Sequence, residues 1–481
     1  MNHIQKAGIS LNIVVVGGSI AGLATAYTLA RAGHSVLILE KSDGTARGAG
    51  GVQSPPNMTR ILNEWGLKSR LDEISQQCEG VQMFAGLTGE LLGIVLMKEE
   101  FLKDLVAEFL FVLHSDLHKL LHSVAVQEGV KIRYHATVTN ADGATGRITL
   151  SSGEELYADL IVGADGYTSL LQDIVAGPAE FRSAQLKNAP SKSLIVTHTV
   201  PAHLLEADPD LRPLVADPSI WSTWLGHRYI AHANSLNSNQ GHHYTVTVAH
   251  DYDGPIEEKQ WGQDDNVHRY GIDFVNLEIR AIKLVSLTTE NSSRLYRNKP
   301  PLESLVCDYS RIVLVGEAAR PVLPGGNHNT ALAIEDAQTL GCLLSRIQDI
   351  SHVSRMLTAY DEIRQPRSAF VHQYTIERQR MFRFPPGPEQ EERDDRMRQT
   401  LARNENDHIN EANFKDPQMW GVELDLFAHN ASEMVEDWWG QWGYMISGRD
   451  VKSQSFQFNH RHSLEISVRQ VTSEPVTSGV A

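Results

Sequence analysis

The residues best suited to chemistry come early in the chain. Gly17, Ser19 and Gly22 fall at the spacing of a glycine turn, between an apolar, β-branched run (Ile13–Val16) and an Ala/Leu-rich stretch that reaches Ala32. Such a turn serves phosphate binding. Gly17 permits the sharp reversal, Gly22 lets helix and strand approach, and free N–H groups at the helix start attract a pyrophosphate. Ser19 sits where a second glycine is usual, so the turn by itself is a weak signal. Glu40, at the end of a second apolar run (Ser35–Leu39), strengthens it, because an acidic residue about 20 positions on can accept hydrogen bonds from ribose hydroxyls.

Other groupings point less far. His114, His118 and His122 recur every four residues, a spacing that can hold zinc. No acidic or cysteine ligand accompanies them, and they border the apolar stripe of Leu117, Leu121 and Val124, so the structural reading is preferred and no metal is expected. Glu335 and Asp336 resemble a carboxylate pair for acid–base work, but neighbours on a helix point about 100° apart. One is expected to face a loop and the other solvent. No serine stands in a GxSxG turn, so serine hydrolysis has no support.

Composition excludes further classes. The 481 residues carry 43 Lys+Arg against 59 Asp+Glu, a net charge of −16, and no block of basic residues, so nucleic acid is not an expected partner. Three scattered cysteines give neither a disulfide framework nor a metal knuckle. Met1–Asn12 lacks the apolar core of a signal peptide, and the run Phe101–Leu113 is broken by charges, so there is no transmembrane segment to expect. The expectation is a soluble, cytoplasmic protein of undetermined oligomeric state.

The elements that must position these residues follow from periodicity. Strand, glycine turn, helix, Gly33 stop and second strand make a βαβ unit. Asp116–Glu128 reads as a helix, Lys131–Thr139 and Arg147–Leu150 as a strand pair, and Leu160–Val162 as a buried strand ending in Gly163-Ala164-Asp165-Gly166. From 181 to 288 the texture changes to short alternating segments separated by Pro, Asp, Asn and Gly, which predicts a mostly antiparallel sheet. The buried type returns at Arg311–Val315, followed by a helix over 329–347 with a core stripe at Ala333, Ala337, Leu340, Leu344 and Ile347. The predicted organisation is therefore an α/β, Rossmann-like domain in two parts (1–180 and 289–370), an inserted sheet domain (181–288), and a Trp-rich, loop-like C-terminal extension (371–481) that loses order after about Ser453.

Taken in order, the segments resemble the class A FAD-dependent monooxygenases, the group of p-hydroxybenzoate and salicylate hydroxylases, and among them the fungal secondary-metabolism type. The landmarks are Gly17–Gly22 with Glu40, the segment Gly48–Asn57, Ser115–His118, Gly163–Gly166, and Gly316-Glu317 through Pro324 to Asp336. The resemblance implies bound FAD, NAD(P)H as co-substrate, O2, and hydroxylation or epoxidation of an aromatic, polyketide or terpenoid small molecule. It implies cofactor contacts at Gly17, Ser19, Gly22, Glu40, Ala49, Gly50, Gln53, His114, Asp165, Glu317, Pro324, Asn329 and Thr330.

Several positions depart from the family pattern. His114 and Gln172 stand for arginines, Glu317 for an aspartate, Arg320 for a histidine, and Asn329-Thr330-Ala331 for Gly-Ala-Asn. The arginine and tyrosine that polarise phenols in salicylate-like members align with His198 and Ala233. The departures leave open a flavin-fold enzyme of altered chemistry (oxidase, isomerase or cyclase) or a flavin-free scaffold. His198, Tyr229 and His232 are the catalytic candidates, because their segment should line the substrate cavity.

Overall fold

The computed structural model describes residues 4–46, 50–97, 105, 107–176, 192–238, 241–254, 277–287, 290–297, 299, 301–320, 328–405 and 417–444. Two expected cofactor contacts, Ala49 and Pro324, lie outside the described residues, as does the segment after Ser453.

Short runs of Val, Ile and Leu bounded by glycine and acidic residues favour strands buried on both faces, and five of them pair side by side. Their order is β18 (Ile312–Leu314), β12 (Leu160–Gly163), β1 (Asn12–Val16), β2 (Ser35–Leu39) and β8 (Lys131–Arg133), all parallel. The chain leaves β1 toward β2 and β8, then returns to the other side at β12. That reversal makes a crevice at the strands' C-terminal ends, the usual ligand position in open α/β sheets. Helices Ile20–Arg31 and Asn329–Leu344 cover the sheet, and Thr28 Oγ1 donates to the Ala337 carbonyl oxygen between them at 2.8 Å. Two smaller antiparallel sheets accompany it: β9 (Val138–Asp142), β10 (Arg147–Leu150) and β11 (Glu155–Tyr157) form one, and β3 (Gly51–Ser54), β7 (Leu110–Leu113) and β4 (Ser75–Gln77) the other.

The inserted domain is a seven-stranded sheet in the order β17 (Glu290–Arg297), β13 (Lys192–Pro201), β16 (Gly241–Asp251), β15 (Tyr229–Ser238), β14 (Ile220–Gly226), β5 (Gly80–Ala85), β6 (Leu91–Leu96). It is antiparallel except where β14 meets β5. It reaches beyond the expected 181–288: the hairpin β5–β6 comes from the first segment expected in the α/β domain (1–180) and β17 from the start of the second (289–370). Alternation along a strand shows that one face is buried but not in which sheet, so sequence alone could not assign these three strands.

Among the described residues of the C-terminal extension, expected to be loop-like, helices run over Pro388–Glu405, Pro417–Ala428 and Ala431–Trp442. The last of these packs on the core through Ala431, Val435 and Trp438, and Trp438 Nε1 donates to Glu362 Oε2 at 2.7 Å. Charged side chains hid an amphipathic helix whose apolar face is narrow.

Candidate functional site

At the C-terminal end of β1, Gly17 takes φ +105°, and a Cβ there would stand 2.3 Å from the Ala164 carbonyl oxygen. A Cβ on Gly22 would stand 1.9 Å from the Gly17 carbonyl oxygen. Both positions therefore require glycine. Ser19 caps the following helix through its backbone only, and neither this helix nor Asn329–Leu344 carries an acidic residue in its first turn. Each helix turns its positive end to the strand ends, where the carboxylates of Glu40 and Glu317 also lie. These features fit a dinucleotide.

Glu40 closes the β2 end. Its Oε2 accepts from Gly18 N and its Oε1 from Ser42 N, both at 2.7 Å. Burial raises the carboxyl pKa, but these N–H bonds outweigh burial and hold it below the ordinary value. The carboxylate is thus fixed in place with lone pairs left for hydroxyl donors. His118 supports the same turn by donating from Nε2 to the Gly18 carbonyl oxygen at 2.9 Å.

The histidine series divides among separate tasks along the helix His114–Gln127. His122 bonds Tyr134 Oη at 2.8 Å, and His114 sits at the helix start with its backbone N on the Gly50 carbonyl oxygen at 3.1 Å. The Nδ1 of His114 is buried without a hydrogen-bond partner. Burial, then His118 and Arg294, lower its pKa to about 4, so the ring is neutral.

At the β18 end, Gly316 (φ +61°) opens the turn that carries Glu317. Burial raises the Glu317 pKa, opposed by Arg294, a hydrogen bond with Asn329, and Lys299. Arg294, on β17 of the large sheet, therefore influences both His114 and Glu317, and the sequence reading missed it. Gln172, standing where an arginine was expected, joins the β12 and β18 turns: its Nε2 donates to the Ala318 carbonyl oxygen at 2.8 Å and its Oε1 accepts from Lys299 at 3.1 Å. Asp165 is occupied locally, taking Ser169 Oγ at 2.5 Å and Leu170 N at 2.8 Å, and so caps the helix Leu170–Val175. Gly50 (φ +91°) faces Thr197 and Thr245 of the sheet, Gln53 lies half-buried on β3, and Thr330 lies half-buried in the first turn after Asn329.

Glu335 and Asp336 overturn the expectation of a loop-facing and a solvent-facing carboxylate: both are fully buried. Their helix is buried all round over Ala331–Leu344, so there is no solvent side for either to face. Arg364 Nη1 pairs with Glu335 at 2.8 Å and its Nε with Asp336 at 2.7 Å, Arg367 Nη2 reaches Glu335 at 3.0 Å, and Arg320 pairs with Asp336. Asn57 donates to Glu335 at 2.7 Å, and Asp336 accepts from Gly316 N at 2.9 Å. This buried network ties the 57 segment and the Glu317 turn to the long helix His352–Phe382. The arginines had a sequence signal, since 364 and 367 continue the buried stripe of Val353, Met356, Leu357 and Tyr360.

Of the catalytic candidates, only His232 lies on the face of the large sheet that looks toward the crevice. Opposed residues share a face, and Thr197, Thr245, Thr247 and His232 lie on the front, where Thr197 and Thr245 abut Gly50. His198, opposite Val246, and Tyr229, opposite His250, lie on the far face, as does Ala233. Tyr229 there joins the cluster of Phe84, Trp224 and Tyr244. His198 and Tyr229 are thereby withdrawn as catalytic residues. The physical reason is the two-residue period of a strand: a shift of one position in alignment moves a side chain to the opposite face.

Residues 10–375 match the family described as FAD binding domain. The FAD-dependent monooxygenase atnJ of Arthrinium sp is 26% identical over 405 residues, covering 83% of this chain and 92% of its own. Hispidin-3-hydroxylase of Neonothopanus nambi is 26% identical, covering 77% and 89%, and 3-amino-4-hydroxybenzoate 2-monooxygenase of Streptomyces cremeus 27%, covering 81% and 92%. Among solved structures, CtdE in complex with FAD and a substrate shares the fold, with a TM-score of 0.71 at 18% identity over 91% of this chain and 100% of that one.

Proposed function

The chain belongs to the FAD binding domain family and is an FAD-dependent monooxygenase, and from that premise we propose that it oxygenates an electron-rich aromatic, polyketide- or terpenoid-derived metabolite. In balance, a substrate C–H, O2, NAD(P)H and a proton become C–OH, water and NAD(P)+. FAD, when bound, accepts the hydride and activates O2, while the protein binds, orients and excludes water.

The chain's part in this is positional. The turn Gly17–Gly22 and the start of helix Ile20–Arg31 are assigned the pyrophosphate, and Glu40 the adenosine ribose. Glu317 is assigned the ribityl chain, and the positive end of helix Asn329–Leu344, at Asn329 and Thr330, the flavin pyrimidine, where it favours negative charge. Neutral His114 offers its unpartnered Nδ1 at the same crevice. The substrate lies between this crevice and the front face of the large sheet. The names of the relatives, which include a hispidin hydroxylase and an aminohydroxybenzoate monooxygenase, support a hydroxylated ring. Three separate cysteines, each free and buried, support a reducing, cytoplasmic setting.

The observation that carries the reading is the convergence of two helix N-termini with Gly17, Glu40 and Glu317 at one set of strand ends. Purified protein should be yellow, and should oxidise NADH or NADPH with O2 uptake that a hydroxylated aromatic stimulates. A colourless protein that FAD cannot reconstitute overturns it. Bound flavin that converts substrate without consuming NAD(P)H would instead favour an isomerase or cyclase.

A further inference from the structure

The turns that carry Asp165 and Glu317, at the ends of β12 and β18, are joined by a side chain from a third segment. Lys299, just beyond the end of β17, is half-buried against the β12 turn. Its Nζ donates to the Tyr167 carbonyl oxygen at 2.7 Å and to Gln172 Oε1 at 3.1 Å, and lies 4.3 Å from the centre of the Tyr167 ring. That ring in turn stands edge-on to Tyr296 of β17 at 5.1 Å between centroids. A carbonyl, an amide and a ring face thus fix the ammonium in place.

Gln172 passes the contact on. It is buried, its backbone N donates to Ser169 Oγ at 2.8 Å, and its Nε2 donates at 2.8 Å to the carbonyl oxygen of Ala318, the residue after Glu317. The arginine expected at 172 would carry donors and a positive charge on one side chain. A glutamine brings the donor but no charge, and its Oε1 needs a donor of its own. Lys299 meets both needs. Its charge also reaches Glu317: burial raises that carboxyl's pKa, and Lys299 is among the groups opposing the rise, after Arg294 and the hydrogen bond with Asn329.

We propose that Gln172 and Lys299 act together as a divided arginine, a positioning pair that holds the Glu317 turn for FAD and supplies from β17's exit the charge that residue 172 lacks. The proposal rests on the FAD reading of the crevice and goes beyond it, because the segment leaving the inserted sheet, and not the α/β domain alone, then completes the cofactor site.

The test follows release of FAD: flavin-loaded protein is diluted, and the fluorescence that free flavin regains gives a dissociation constant for each variant. Lys299→Met removes the ammonium and should weaken FAD at least about tenfold, the scale of one charge-assisted hydrogen bond. Lys299→Arg keeps a charged donor and should stay within about threefold of the unaltered chain. Gln172→Arg installs the expected residue, and in that background Lys299→Met should no longer weaken FAD, because the charge now comes from 172. Packing lost at 299 cannot be restored from 172, so this rescue separates the proposed role from a merely structural one. Gln172→Leu, which leaves the ammonium without its link to Ala318, should weaken FAD about fivefold. Unchanged affinity in Lys299→Met, the same loss from Lys299→Met in both backgrounds, or unchanged affinity in Gln172→Leu would overturn the proposal. An unaltered chain that takes up no flavin refutes the cofactor reading and this inference with it, whereas tight FAD binding without coupling between 172 and 299 refutes this inference only.

Discussion

At Gly22 a single hydrogen separates a working turn from a blocked one. Alanine there would place its Cβ 1.9 Å from the Gly17 carbonyl oxygen, so backbone must move and the first-turn N–H groups lose their aim. Gly22→Ala is expected to weaken FAD by at least about tenfold, a cost typical of a forced backbone shift, read as a fall in the flavin-to-protein absorbance ratio. Arg364 has the opposite sensitivity, to removal rather than addition. It is fully buried between Glu335 and Asp336, and burial alone would raise the Glu335 pKa if Arg367, His429 and Arg364 did not hold it well below the carboxylate range. Arg364→Met leaves two buried carboxylates short of a cation and should cost about 3–5 kcal/mol in urea unfolding. A loss under about 1 kcal/mol would mean that water reaches the network.

Elements decide which of these residues can act together. The large sheet sorts its histidines by alternation: His232 faces the crevice, and His198, one strand pair away, faces a closed apolar layer with both ring nitrogens unpartnered. His198→Leu is therefore expected to stabilise the fold by about 1–3 kcal/mol, the cost of the orphaned imidazole, with unchanged flavin content and unchanged KM. Loss of turnover in that variant would show that the strand register is shifted by one. The helix Asn329–Leu344 illustrates the complementary failure of a periodic argument. Its apolar stripe was legible, but the stripe understates a helix buried on every side, and so Glu335 and Asp336 were assigned surroundings they do not have. Arg364 and Arg367 were readable as charges within an apolar stripe, and what they neutralise became visible only once two helices packed.

For the whole molecule, acid is the telling variable. His34, His114 and His198 are buried and have pKa values lowered to about 4, and His232, His328 and His429 to about 3, with burial the largest cause in each. Unfolded imidazoles titrate near about 6.5. Below that value the unfolded chain binds more protons than the folded one, so their contribution is complete above about pH 6.5 and is lost as the pH falls toward the folded values. By about pH 5 each such group withdraws about 1–2 kcal/mol, a severe drain on a total of about 5–15 kcal/mol. Urea midpoints should fall steadily from about pH 7.5 to 5 in steps set by this window, and a flat profile would contradict the buried, neutral histidines. Local order along the chain was enough to determine the α/β fold class and the resemblance to FAD enzymes, because a βαβ unit and its glycines act within about 30 residues. Only the tertiary structure decided that 80–96 and 290–297 join the inserted sheet, that two catalytic candidates look the wrong way, and that Glu335, Asp336 and three arginines share one interior. Those outcomes depend on strand register and on polar groups from separate elements meeting, as Asn57 meets Glu335 with a sequence separation of 278 and Arg364 meets Asp336 from another helix, and no local period encodes such a meeting.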